Sequence, residues 1–166
     1  MRNIISILIR NEAGALARVA NLFSSRAYNI DSLSVAPTDD QSVSRITLVT
    51  FGSQDILDQI IKQTRKLIDV ISIIDMTDDD YHEREFALIK IEVGSISNDN
   101  LNLLMDNYGA SILSEKDNFY TLEIISSSEK VDEFIRAITA KIPIDSIVRS
   151  GALAIAKGKP LLQKNS

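Results

Sequence analysis

Apolar residues alternate with short polar stretches along the first half of the chain in a pattern that predicts strands and helices. The run from Ile4 to Ile9 predicts a first strand, and Leu16, Val19 and Phe23 then recur at helical spacing. The same signals continue to residue 75. They predict strands over 3–9, 30–37, 44–51 and 70–75, and helices over 13–27 and 57–67. The predicted order is therefore βαββαβ.

The second half of the chain repeats this order. A shift of 74 positions lays residues 46–63 over 120–137, so that Thr47 meets Thr121 and Leu48 meets Leu122. The pattern there predicts strands over 85–93, 110–116, 118–126 and 144–150, and helices over 98–108 and 128–141. Two copies of one unit predict an α+β fold of two tandem ferredoxin-like βαββαβ domains, each with an antiparallel sheet and helices on one face.

Breaks in the apolar pattern set the expected domain bounds. The acidic run from Asp78 to Asp80 interrupts the pattern, as a linker does. We therefore expect a first domain over 1–76, a linker over 77–84, a second domain over 85–158 and a flexible tail over 159–166.

Strand one carries apolar side chains on both of its faces, whereas the helices of such a unit cover only one. A second subunit is expected to cover the open face. Ser32, Ser34 and Ala36 share one face of strand two, where small side chains would let another chain come close. These three residues are a candidate dimer interface, and an ordinary surface strand is the alternative.

The turn from Asn11 to Gly14 joins the first strand to the first helix. Free backbone N–H groups and the positive end of the helix dipole make such a turn a place for a small carboxylate. Gly14 has no β-carbon and lets a ligand approach the backbone. Alternatively, Asn11 is an N-cap and Gly14 permits close helix packing. The start of strand two, at Asn29 and Ile30, is expected to return beside this turn.

Composition excludes several classes of protein. A formal net charge of −5 argues against a nucleic-acid binder, and strand three offers only Phe51 to stack on a base. The chain has no cysteine, and no apolar stretch reaches the roughly 20 residues of a membrane span. The single histidine, His82, and the run from Asp78 to Asp80 are a weak basis for catalysis or metal binding. We expect a cytoplasmic protein without a catalytic or metal site, and without a nucleic-acid or membrane partner.

The segment over 10–38, RNEAGALARVANLFSSRAYNIDSLSVAPT, resembles the N-terminal ACT domain of the acetolactate synthase (acetohydroxyacid synthase) small regulatory subunit. The resemblance continues through 82–91 and 147–151. It implies a non-catalytic subunit that binds the catalytic (large) subunit, raises its activity and confers feedback inhibition by valine in branched-chain amino acid biosynthesis. It also implies no cofactor in this chain, with thiamine diphosphate, Mg and FAD in the partner. A stand-alone ACT-type amino-acid sensor that controls a different enzyme is the alternative.

The resemblance also implies a homodimer through the N-terminal ACT domain, with valine bound between two chains. One chain would contribute the turn and the facing chain the start of strand two. The implied effector-binding residues are Asn11, Ala13, Gly14, Ala15 and Leu16 from the turn, and Asn29 and Ile30 from the facing chain. Where this family commonly has Gly-Tyr-Asn, the chain has Ala27-Tyr28-Asn29, so a position that favours glycine carries a β-carbon.

Overall fold

A computed structural model describes residues 1–94, 96–158, 160 and 162. Both halves have the predicted βαββαβ order, and the antiparallel pairing and the placement of the helices confirm the predicted fold class. The first half consists of β1 (Arg2–Arg10), α1 (Ala15–Ser25), β2 (Ser32–Pro37), β3 (Val43–Phe51), α2 (Gln54–Thr64) and β4 (Val70–Asp75). The second half consists of β5 (Tyr81–Glu92), α3 (Asn98–Tyr108), β6 (Ser111–Lys116), β7 (Phe119–Ser126), α4 (Ser128–Thr139), β8 (Ser146–Arg149) and β9 (Leu153–Ala156).

The first sheet has the strand order β2-β3-β1-β4, so β1 lies inside the sheet and β2 lies at an edge. Alternate residues of β1 and β3 point towards the helices, as the two-residue period of a strand requires. They pack there against α1 and α2 in a fully apolar core, which includes Ile5, Ile7, Ile46 and Leu48 from the sheet and Val19, Phe23, Leu57 and Ile60 from the helices.

The second sheet has the order β6-β7-β5-β8 and is built on the same plan. Positions related by the 74-residue shift are buried in both copies: Leu48 corresponds to Leu122, and Ile60 corresponds to Phe134. Leu122 and Phe134 belong to a separate core formed by β5, β7, α3 and α4. Because buried positions recur at the same 74-residue shift as the matching residues, the internal repeat is present in the structure as well as in the sequence.

A segment of the chain itself covers part of the open face of the first sheet. Ala152 and Ala154 pack against Ile4, Val49 and Met76, and all five are buried. β9 pairs with β5, and just after β9 the Lys157 amide donates to the Asp80 carbonyl at 2.8 Å. The expectation that a second subunit covers this face is therefore corrected in part, because residues 152–156 bury its apolar residues within one chain.

The structure differs from the expected domain bounds. One compact unit comprises Met1–His82 together with the described residues from Ala152 onward, and the other comprises Glu83–Gly151. β5 begins at Tyr81, inside the linker expected over 77–84. Residues 152–158 join the first unit because its sheet has a second apolar face to bury. The tail expected over 159–166 lies outside the described residues, except for Pro160 and Leu162.

The C-terminus of α1 has the geometry of a Schellman motif. Tyr28 donates its amide to the Phe23 carbonyl at 3.0 Å, and Ala27 donates to the Ser24 carbonyl at 3.1 Å. The rings of Phe23 and Tyr28 meet edge to face. This motif requires a left-handed residue, and Ala27 has a φ of 56°. The residue that departs from the family pattern therefore carries a β-carbon in a conformation that favours glycine.

Replacing Ala27 by glycine is expected to raise the free energy of unfolding by about 1 kcal/mol, because glycine has no β-carbon and adopts the left-handed conformation without steric strain. Urea denaturation of the two proteins measures the change. Ala20→Gly is the matched control: Ala20 lies inside α1, where the same exchange should destabilise by about 1 kcal/mol. Equal losses in both variants would contradict the account of Ala27.

Candidate ligand-binding site

The turn after β1 is held by hydrogen bonds to the β2–β3 hairpin. Asn11 donates its amide to the Ser42 carbonyl at 2.7 Å and its side-chain Nδ2 to the Gln41 carbonyl at 2.8 Å. The residue that caps α1 is Gly14, with no side-chain capping bond. The alternative that Asn11 is an N-cap is therefore wrong: Asn11 fixes the turn to the hairpin.

Two observations favour glycine at position 14. Its φ of 85° and ψ of −10° are left-handed, a conformation that L side chains avoid. A β-carbon there would also lie 3.0 Å from Nη1 of Arg18. A side chain at this position would therefore strain the backbone of the turn and displace the flexible end of Arg18.

The first turn of α1 presents two free donors. Ala15 donates its amide to the Glu12 carbonyl at 3.1 Å, and Arg18 donates to the Gly14 carbonyl at 2.9 Å. Among the described residues, the amides of Leu16 and Ala17 between them have no acceptor. Two adjacent free N–H groups at the positive end of a helix dipole are suited to the two oxygens of a carboxylate.

A cation lies beside these donors. Nε of Arg18 donates to Oδ2 of Asp69, whose side chain is only 5% exposed. The hydrogen bond from Arg18 holds the pKa of the Asp69 carboxyl below its usual range, and the same bond raises the pKa of the Arg18 guanidinium. Arg10 donates its amide to the Asp69 carbonyl, which ties this pair to the end of β1. Arg18 therefore adds positive charge next to the turn.

Most of the predicted turn residues lie together in the structure, but Ala15 contributes to the core and is not exposed to a ligand. Ala13 is exposed, and Leu16 is 37% exposed, so both are available to a ligand. Ala15 is buried in the core, and its amide is already bonded to Glu12. Sequence reasoning missed Ala17 and Arg18, whose only signal is that they lie within four residues of Gly14.

Asn29 and Ile30 lie at the opposite end of the sheet from Gly14. Ser32 is level with Val49 and Pro37 is level with Ser44, so β2 advances about 16 Å at roughly 3.3 Å per residue. Its start is next to the end of β3, where Asp31 donates to the Val49 carbonyl. The expectation that this start returns beside the same chain's turn is therefore wrong, because α1 carries the chain away from the turn before β2 begins.

The candidate interface residues lie on an edge strand. Ser32, Ser34 and Ala36 are level with Val49, Thr47 and Arg45 of β3 and share the sheet face away from the helices. β2 has a partner on one side only, so its outer edge presents backbone groups to another strand. Val35, on the other face, is 39% exposed.

No group of three or more histidine, aspartate or glutamate side chains is placed to hold a metal ion within the described ranges. Asp80, from the acidic run, pairs instead with Lys157 at 2.7 Å. Within the same ranges no helix combines the length and hydrophobicity needed to cross a bilayer.

A ferredoxin-like unit whose first strand-to-helix turn is a ligand-accessible glycine turn defines the ACT class of regulatory domains. Comparison with known families agrees with this assignment. Residues 5–72 match the model of the acetohydroxyacid synthase small subunit-like ACT domain, and residues 84–158 match the model of the small subunit of acetolactate synthase.

Individual relatives match over almost the whole chain. The acetolactate synthase small subunit of Haemophilus influenzae is 40% identical over 96% of this chain and 98% of the relative. The isozyme 3 small subunit of Escherichia coli is 37% identical over 98% and 100%. The crystal structure of the small subunit from Thermotoga maritima superimposes with a TM-score of 0.85 at 27% identity, covering 96% of this chain and 99% of that one. The chain belongs to the acetolactate synthase small-subunit family, whose members are regulatory ACT-domain proteins.

Because of the Arg18–Asp69 pair, the free energy of unfolding should decrease at acid pH. Because the pKa of Asp69 is lowered in the folded state, its contribution is present above the unfolded-state pKa of about 4 and is lost as the pH falls through the folded-state value. As the pH falls from 7 into the acid range, the free energy of unfolding of Asp69→Asn should therefore decrease less than that of the parent protein. Urea midpoints measured across pH check this, with the exposed Asp31→Asn as the control. Identical pH profiles for Asp69→Asn and the parent would contradict the assigned pair.

Proposed function

We propose that this chain is the regulatory subunit of an acetolactate synthase, which binds the catalytic subunit, raises its activity and makes it sensitive to valine. The observation that carries the proposal is the Gly14 turn, with the adjacent free amides of Leu16 and Ala17. Membership in the small-subunit family supplies the catalytic partner. The reaction served joins pyruvate to pyruvate or 2-oxobutyrate on the route to branched-chain amino acids.

Valine suits this turn by its chemistry. Its carboxylate would accept from the two free amides, and the nearby Arg18 guanidinium would favour the negative charge. The partly exposed Leu16 side chain offers apolar surface to an aliphatic group. The turn therefore selects for an acid, and its apolar surroundings select for a short hydrocarbon.

One chain does not complete this site. Asn29 and Ile30 lie at the far end of β2 from Gly14. If two β2 edges pair antiparallel about a twofold axis, the start of one β2 comes beside the end of the other. That arrangement would bring the partner's Asn29 and Ile30 towards the Gly14 turn, and it would use the edge on which Ser32, Ser34 and Ala36 lie.

Valine bound between two chains would shift them between arrangements that hold the catalytic subunit active or inhibited. Only a difference in affinity for the two arrangements can drive this shift, and a coupling free energy of roughly 1 to 3 kcal/mol is typical. Thiamine diphosphate, Mg and FAD would belong to the catalytic partner, and the complex would be cytoplasmic.

Gly14→Asp is expected to abolish valine inhibition of the reconstituted holoenzyme. The new side chain would meet Arg18 and place a negative charge where the carboxylate binds. The apparent affinity for valine should fall more than tenfold, which is more than about 1.4 kcal/mol. Acetolactate production measured against valine concentration checks this.

Gly94→Asp is the matched control for that experiment. Gly94 has a φ of 82° at the corresponding turn of the second unit and has open space around it. It therefore carries similar backbone strain and the same added charge, and it should leave valine inhibition intact. Unchanged valine sensitivity in Gly14→Asp would overturn the assignment of the turn.

The β2 edge is tested by a lysine at position 35. Val35→Lys places a charge on the edge strand, where lysine blocks strand pairing, at a side chain exposed enough to spare the fold. The dimer dissociation constant should rise at least tenfold by analytical ultracentrifugation. Ile125→Lys, at a 58% exposed position of the second unit, should leave it unchanged. A parent-like dimer in Val35→Lys would place the interface elsewhere.

A further inference from the structure

Arg45 is a partly buried cation on the face of the first sheet that points away from the helices. Its Nε donates to Ser6 Oγ at 3.0 Å and its Nη2 donates to the Ala154 carbonyl at 3.1 Å. Burial lowers the pKa of the guanidinium. Among the described residues no carboxylate lies within ion-pair distance of it. A desolvated guanidinium held by neutral acceptors alone retains the capacity to bind an anion.

A cavity of about 340 Å³ adjoins this cation within the first unit. We call it the Arg45 pocket and define it by its lining residues, which are Leu8, Thr38, Asp39, Val43, Arg45 and Leu162. Its volume lies at the lower end of the range of about 300 to 1,000 Å³ for small-molecule sites. Its lining combines the buried aliphatic residues Leu8 and Val43 with the partly buried Arg45 and the exposed Asp39.

The Arg45 pocket therefore combines a cation, a carboxylate and an aliphatic surface. A simple anion would be attracted by Arg45 and repelled by Asp39, whereas a zwitterion satisfies both. A purely polar zwitterion would leave the Leu8 and Val43 wall without a partner. We propose that this pocket is a second small-molecule site, which binds a short aliphatic α-amino acid with its carboxylate at Arg45 and its ammonium group at Asp39.

This site is separate from the Gly14 turn. None of the six lining residues belongs to the turn, and the proposal does not depend on valine binding there. The β2–β3 hairpin connects the two sites, because Asn11 bonds to Gln41 and Ser42 while Thr38, Asp39 and Val43 line the pocket. Occupancy must therefore be read separately at each site.

Methyl NMR of the full chain gives that separate reading. With ¹³C-labelled leucine and valine methyl groups, Leu8 and Val43 report on the Arg45 pocket, and Leu16 reports on the Gly14 turn. Titration with L-leucine is expected to shift the Leu8 and Val43 signals saturably. Isovalerate, which has the carboxylate and an aliphatic chain but no ammonium group, is expected to bind about tenfold more weakly at these positions.

Two substitutions assign the polar contacts. Arg45→Gln should weaken L-leucine at the pocket by about tenfold or more. Asp39→Asn should remove the preference for L-leucine over isovalerate and should leave the hydrogen bond from Arg45 to the Ala154 carbonyl unchanged. Asp31→Asn, an exposed carboxylate at the other end of the β2 region, is the control and should behave as the parent protein. The Ala152 and Ala154 methyl groups, labelled in a second sample, show whether Arg45→Gln also releases the segment over 152–156.

The outcomes separate cleanly. Saturable shifts at Leu8 and Val43 that are reduced by Arg45→Gln, with a preference for leucine that Asp39→Asn removes, support the proposal. Shifts confined to Leu16 would overturn the second site while leaving the Gly14 site intact. An unchanged leucine-to-isovalerate ratio in Asp39→Asn, or unshifted Leu8 and Val43 signals at tens of millimolar ligand, would also overturn it.

Discussion

The first unit is organised by the need to bury both faces of β1. Residues 3–9 are all buried, and a single layer of helices covers only the residues that point one way. The returning segment over 152–156 covers part of the other side, with Arg45 donating to its backbone. Within the described residues of this unit, the edge of β2 has no strand partner and the amides of Leu16 and Ala17 in the first turn of α1 have no acceptor.

The contacts on either side of the turn explain why it suits a ligand. The β2–β3 hairpin fixes Asn11, and Asp69 fixes Arg18, so the left-handed backbone of Gly14 is held on both sides without using the amides of Leu16 and Ala17. Those donors are therefore oriented before a ligand arrives, which reduces the entropic cost of binding. Asn29 and Ile30 are separated from these donors by the length of β2, so in the proposed site they would come from a second copy.

The element order, the turn at Gly14 and the internal repeat could be predicted from the sequence because local periodicity and a 74-residue shift carry them. The predictions that were wrong or incomplete concern residues whose partners lie far away in the sequence. Asn11 resembles an N-cap locally, but its acceptors lie about thirty residues away in the hairpin. Arg18 and Asp69 are 51 residues apart. β9 is a run of only four residues, Leu153–Ala156, and its role follows from the second face of β1. The predicted position of Asn29 was wrong because α1 carries the chain to the opposite end of the sheet before β2 begins.

The most direct test of the account is complementation between two defective chains. Gly14→Asp damages the turn half of the site, and Asn29→Asp would damage the half supplied by the partner, so neither homodimer should respond to valine when reconstituted with the catalytic subunit. If each site combines the two halves from different chains, an equimolar mixture of refolded chains should regain about a quarter of the intact sites, all in heterodimers. Partial recovery of valine inhibition in the mixture is the predicted result. A mixture as insensitive to valine as either variant alone would contradict a site shared between two chains.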